Sequence, residues 1–311
     1  MFRLGRFRKL AAPVVAVVLG VGLNAVEAGA GAAPVVLNCG AVVTTSVQLA
    51  ADIGPCHDHA IVVGADNITV DLNGHQVFGE GGTVVTHQAS GVFSDNHTGV
   101  VVTNGTIHSM YHGVRIRRGS HNLVTKITAR GNAGGNGVVF ETSTDNVASF
   151  NTIFGNTGFA GMATFNTNSL PPAAARNTFT DNIVYLNNAH GISIENGAGH
   201  IVRRNQVSTN TRDGISLFTG VSGILVEANQ VFRSGANGIN VRTGANNNIV
   251  RANQVSRNSG RGIQVSGQSN QILTNVASGN ALALLDSHAN CDANVWWGNR
   301  FGSAQPECTQ G

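Results

Sequence analysis

Along most of the chain, apolar and polar residues alternate in short runs that open on a glycine: "HGVRIR", "NGVVFE", "AGMATF", "HGISIE", "DGISLF", "NGINVR" and "RGIQVS". One residue after Gly113, Gly137, Gly161, Gly191, Gly214, Gly238 and Gly262 stand Val114, Val138, Met162, Ile192, Ile215, Ile239 and Ile263. Three residues after them stand Ile116, Phe140, Thr164, Ile194, Leu217, Val241 and Val265, with mostly polar residues in between. A period of two with branched side chains predicts a strand with one buried face. The glycines are spaced by 24, 24, 30, 23, 24 and 24 residues, a period that marks a solenoid. Each repeat has room for two more short strands. One carries Leu123, Val147, Ile201, Leu225, Ile249 and Leu273, and the other is the "NQV" strand with Val207, Val231 and Val255. Successive coils are then expected to pair in parallel, about 4.8 Å apart.

Asparagine recurs at one turn, as Asn182, Asn205, Asn229, Asn253 and Asn275. Amides stacked coil on coil can form a hydrogen-bonded ladder, and Asn tolerates the left-handed backbone of a tight corner. Composition agrees with strands and turns: only 11% of residues are charged, and 40 are glycine.

The ends differ from the repeats. Arg3, Arg6, Arg8 and Lys9 precede an apolar run from Leu10 to Leu23, followed by small residues. That order describes a secretory signal peptide over residues 1–28. Removing it takes away four bases and one acid of 19 and 16, leaving 15 of each. A near-neutral chain argues against a nucleic-acid partner, and no second apolar run is long enough for a membrane span. The mature protein is expected to be a monomer. Export makes disulfides the expected state of the four cysteines. Three connectivities are possible. Pairing Cys39 with Cys56 and Cys291 with Cys308 is the simplest, and a zinc site is the rival. The expected organisation is a signal peptide at 1–28, an N-terminal cap and first coils at 29–104, a parallel β-helix at 105–286 and a C-terminal cap at 287–311.

The coil pattern over about residues 60–286, with "LNCG…ADIGPC…ITVDLNGHQVFG" before it and "CDANVWWGNRFGSAQPEC" after it, resembles the right-handed parallel β-helix of pectin-lyase-like proteins with PbH1-type repeats. The resemblance implies an all-β solenoid of about nine coils. It also implies that a polysaccharide would lie along the outside of one parallel sheet. The fold hosts lyases, hydrolases, epimerases and inert spikes, so it does not fix an activity.

The outward residues of the Gly-headed strand supply the candidate site. Two residues after the glycines stand Arg115, Val139, Ala163, Ser193, Ser216, Asn240 and Gln264; four after stand Arg117, Glu141, Phe165, Glu195, Phe218, Arg242 and Ser266. Glu141 and Glu195, two coils apart, should be about 9–10 Å apart along the axis. Two carboxyls about 6.5–9.5 Å apart suit inverting glycoside hydrolysis. His190, near Glu195 and Asp213, is a candidate general base. Arg115, Arg117 and Arg242 are candidates to hold uronate carboxylates, and Phe165 and Phe218 to stack on sugars. The long 30-residue interval inserts Thr167–Arg176 beside this row, where an extra loop marks a working face. The aspartates and arginines that mark polygalacturonases, pectate lyases and mannuronan epimerases are missing, so whether the protein is an enzyme stays open among lyase, epimerase and hydrolase. A non-catalytic surface or adhesion module is the alternative. A third possibility is copper or zinc handling, suggested by "HDH" at 57–59 and eight of eleven histidines within residues 57–121. No metal ligand set or cofactor is assigned, and no motif supports calcium.

Overall fold

The computed structural model describes residues 33–81, 88–166 and 174–310. The segment expected to be a signal peptide, at 1–28, and Thr167–Ala173 of the inserted loop lie outside them. The described chain winds as a parallel solenoid with three short strands per coil.

The Gly-headed strands form one twelve-stranded parallel sheet, sheet A. Its central strands include Val138–Glu141, Ala160–Phe165, His190–Ile194, Ile215–Leu217 and Ile239–Val241. Ile192, Ile215, Ile239 and Ile263 follow one another in register and all are fully buried, so they form one interior column. Twelve strands exceed the expected nine coils because the ends also coil. Ala41–Val43 and Ile61–Val63 add strands at one end, and Ala304–Gln305 adds one at the other. The head glycines are required by close approach: a Cβ on Gly214 would stand 2.3 Å from Val231 Cγ1 and 2.8 Å from the Gly238 carbonyl.

The second strands, among them Ile201–Arg203, Leu225–Glu227 and Ile249–Arg251, stack as sheet B. The third, among them Ile183–Tyr185, Gln206–Ser208 and Gln230–Phe232, stack as sheet C. Sheet B corrects the sequence reading by one residue. Its core column is Val124, Ala148, Phe179, Val202, Val226, Val250 and Ile272, while Ile201, Leu225 and Ile249 point outward and are half-buried. Leu273 pairs with Arg251 and not with Ile249. Adjacent positions on this strand are both apolar, so alternation alone does not say which faces inward.

Asparagine ladders run down all three corners. Between sheets B and C, Asn151, Asn182, Asn205, Asn229, Asn253, Asn275 and Asn299 donate amide to amide at 2.9–3.0 Å. Asn122–Asn146–Asn177 and Asn132–Asn156–Asn187–Asn210 do the same at the other corners. The left-handed residues are the ones before the ladder, Asp181, Arg204, Ala228, Ala252 and Thr274, with φ of 52–58°. The asparagines serve the corner through their side chains, which turn inward to bond the backbone of neighbouring coils. Disulfides join Cys39 to Cys56 and Cys291 to Cys308. The rival zinc site is thereby excluded.

Candidate functional site

The outer face of sheet A carries two adjoining hollows between residues of neighbouring coils. Each side chain reaches them because the strand places alternate residues on the outside and parallel pairing repeats that placement coil by coil.

The larger hollow, 470 Å³, is lined by His190, Arg212, Asp213, Asn240 and Arg242 among others. His190 heads the strand His190–Ile194, Asp213 stands at the corner of the next coil, and Arg242 directly follows the strand Ile239–Val241 of the coil after that. Asp213 is buried and held from several sides. Its Oδ1 accepts from the backbone and amide of Asn237 at 3.1 Å each, and its Oδ2 accepts from Asn240 at 3.0 Å and Arg242 at 3.3 Å. The Arg242 guanidinium lies 3.9 Å above the centre of the Phe218 ring and donates to Ser216 Oγ at 3.0 Å. Its Nη2 stands 3.3 Å from His190 Nε2. A guanidinium can only donate, so Nε2 is the acceptor and the imidazole proton sits on Nδ1. That nitrogen faces Asp213 Oδ2 at 3.5 Å, too long for a good hydrogen bond. Burial, with the charges of Arg242 and Arg212 adding to it against the pull of Asp213, lowers the His190 pKa to about 4. The ring is therefore neutral at ordinary pH.

The smaller hollow, 220 Å³, is lined by Tyr111, His112, Arg115, Phe159, Phe165 and Glu195, among others. Glu195 is half-buried and accepts from Ser193 Oγ at 3.3 Å. Burial pushes its carboxyl up to about 7, against the opposing effects of Ser193 and of Arg242 in the neighbouring hollow. Such a group exchanges protons near neutrality, as general acid–base work requires. Phe159 stands at the edge shared by the two hollows, its ring 5.2 Å from His190 and 5.4 Å from Phe218.

Of the residues expected from sequence, His190, Asp213, Phe218 and Arg242 come together, with Glu195, Phe165 and Arg115 next to them. Two are placed elsewhere. Glu141 is buried, 1% exposed, and accepts from Arg115 Nε at 2.6 Å. Although Glu141 and Arg117 are register partners, Arg117 turns away to Asp95. The expected open row of two carboxylates is thus one half-exposed carboxyl and one buried ion pair. Phe159 was missed. It stands two residues before Gly161, outside the alternation that located the site, and only the structure shows it to be 40% exposed. Among the described residues the histidines near the N-terminus do not converge, and His87 lies outside them. His57 faces Glu80 at 3.2 Å and His59 stacks on Phe93 at 4.3 Å. Among the described residues no three His, Cys, Asp or Glu are placed to hold a metal ion.

The profile of the family described as right handed beta helix region matches residues 61–231 and 173–305. No curated protein matches the sequence. Solved structures are similar at low identity. A mutant of the periplasmic alginate epimerase AlgG is 17% identical, with 86% of this chain and 74% of that chain covered and a TM-score of 0.62. The A-module of the mannuronan C-5 epimerase AlgE4 of Azotobacter vinelandii is 14% identical, with coverage of 85% and 81% and a TM-score of 0.64. The Dettilon tailspike protein is 16% identical, with coverage of 87% and 60% and a TM-score of 0.65.

Proposed function

The chain belongs to the family with a right-handed β-helix region, and on that premise we propose that it is an exported protein that binds a uronate-containing polysaccharide along the outside of sheet A and moves a proton on it. The observation that carries this reading is the meeting, on one outer face, of a carboxyl titrating at about 7 and a guanidinium laid over an aromatic ring at 3.9 Å.

The C5 hydrogen of a uronate is adjacent to its carboxylate. Removing it as a proton piles negative charge on the carboxylate, so the reaction needs a cation there and a base at C5. Arg242 supplies the cation, in a fork that matches a carboxylate. Neutral His190, whose Nε2 accepts from Arg242, holds the guanidinium in place, and Glu195 in the adjoining hollow exchanges the proton. Returning the proton to the opposite face gives the epimer; expelling the C4 substituent gives an unsaturated product. Two of the similar structures are epimerases of alginate or mannuronan by their names, which supports the substrate class. The disulfides support a compartment outside the reducing cytosol.

The test is to incubate the purified protein with alginate and polygalacturonate. Unsaturated product near 235 nm, new reducing ends and solvent deuterium at C5 are followed. The wild type is expected to bind and to exchange C5 hydrogen, and Arg242→Ala and Glu195→Gln to lose the exchange. Binding without any reaction identifies a non-catalytic module; failure to bind any uronate polymer overturns the reading.

A further inference from the structure

Exposed arginines on this solenoid are in several places answered by an acid one coil earlier. Arg118 meets Asp95, Arg176 meets Asp145, Arg204 meets Asp181 and Arg251 meets Glu227. The corner leading from sheet C into sheet A departs from that arrangement. There Thr209, Arg233, Arg257 and Gly279 occupy one place in successive coils, each directly before the ladder position and each left-handed, with φ of 51–64°. The Arg233 N–H donates to the Ser256 carbonyl and the Arg257 N–H to that of Ser278, so the two arginines stand on adjacent rungs about 4.8 Å apart. Both are exposed. Like charges facing each other on adjacent rungs are destabilising, and among the described residues neither arginine forms an ion pair that would offset this.

Two more exposed arginines border the same corner. Arg212 lines the larger hollow together with Arg242, as does Ala236, three residues after Arg233. Arg261 follows Asp213 and Asn237 in their column: the Asn237 N–H donates to Asp213 Oδ1 at 3.1 Å, and the Arg261 N–H to Asn237 Oδ1 at 2.9 Å. Gln264, on the strand Arg261–Val265, also stands in the wall of the hollow. Positive side chains thus run from that wall along the corner beside it, over three successive coils.

We infer that this corner is a guide rail for the uronate polymer: the chain beyond the reacting sugar leaves the larger hollow over Arg212 and lies along Arg233, Arg257 and Arg261 toward the C-terminal coils. An acidic polymer on this line meets a guanidinium on successive rungs, and a carboxylate between Arg233 and Arg257 relieves their repulsion. Charges at the rim of a site act chiefly on the rate of encounter and on its salt dependence. The rail therefore favours long chains over short ones without touching the chemistry at Glu195. Continuity with Arg242 points to the same polymer as the hollow. A nucleic acid calls for a broad basic surface, whereas charge on this chain is sparse, at 11% of residues. The inference rests on the proposed substrate class.

The test is surface plasmon resonance on the immobilised protein at several salt concentrations, with long chains and tetramers of alginate and polygalacturonate. Solvent deuterium at C5 is read on the tetramers. Arg233→Asn/Arg257→Asn, which suits the left-handed backbone, is expected to slow association of the long chains roughly tenfold at low salt and to flatten its salt dependence. Tetramer binding and exchange stay as in the wild type, and Arg233→Lys/Arg257→Lys keeps fast association. Arg204→Asn/Arg251→Asn removes the same charge elsewhere on the solenoid and should leave long-chain association unchanged. The single variant Arg257→Asn, with a smaller effect of the same sign, serves if the double variant does not fold. Unchanged long-chain association in a folded rail variant overturns the inference, as does an equal loss in Arg204→Asn/Arg251→Asn. A wild type that binds nucleic acid or polyphosphate but no uronate polymer overturns it too. Long-chain association lost in the rail variant, with no C5 exchange in any protein, sustains the rail while refuting the chemistry proposed for Glu195.

Discussion

Replacing Glu195 by Gln is the most direct probe of the environment on which the proposed chemistry depends. The amide has nearly the same shape and can still accept from Ser193 Oγ, 3.3 Å away in the native protein. What it removes is the titration. The carboxyl titrates at about 7 in the folded chain against an ordinary 4.5, so between those pH values the native state holds a proton that the unfolded state has lost. Native stability therefore falls as pH rises through this window; the cost is absent below 4.5 and complete above 7. At 1.36 kcal/mol per pH unit the full cost is about 3 kcal/mol, and partial exposure of the side chain reduces it to roughly 1–2 kcal/mol. Glu195→Gln should thus match the wild type at pH 4.5 and exceed it at pH 8, by about 2–4 °C in melting temperature per kcal/mol. Thermal unfolding of both proteins at the two pH values, compared as variant minus wild type, cancels all other titrations. An offset that is equal at both pH values, or larger in acid, would refute the claim that burial raises this carboxyl.

Four further substitutions separate binding from architecture. Arg242→Lys keeps the charge but gives up the fork and the contact over Phe218, 3.9 Å from its centre; uronate affinity measured by calorimetry should drop roughly tenfold. Glu141→Ala leaves the buried Arg115 guanidinium without the carboxylate at 2.6 Å and should cost about 3–5 kcal/mol in urea unfolding. Loss of turnover at unchanged stability would instead restore Glu141 as a reacting group. Asn229→Val removes the acceptor of the buried Asn205 backbone N–H and the donors to Val202 and Asn253. It should cost about 2–4 kcal/mol, while exposed Gln230→Ala should stay within about 0.5 kcal/mol of wild type by the same assay.

Much of the architecture was legible in the residue order because its causes are local and periodic. The branched residues after each glycine fix a strand with an inside and an outside, and the 24-residue spacing fixes which residues stack; Ile215, Ile239 and Ile263 form the expected interior column. The cysteine pairs were readable because each closes a short local loop. One asparagine ladder was readable because nothing interrupts it. The other two were hidden where His200, Ser234 or Ile224 takes the ladder position.

What the order of residues could not decide is how neighbouring coils divide their polar groups. Arg115 and Arg117 stand two residues apart on the same strand, yet one turns to Glu141 on the following coil and the other to Asp95 on the preceding one. In sheet B, where inside and outside positions are both apolar, only packing selects Val202 over Ile201 for the core. The same holds for Glu195 and His190, whose protonation follows from the bulk of Phe159, Phe165 and Phe218 and from Arg242, contributed by other coils. Strand direction and stacking come from the backbone repeating itself. Burial and charge at a given atom come from side chains far apart in the chain that meet only once it has wound.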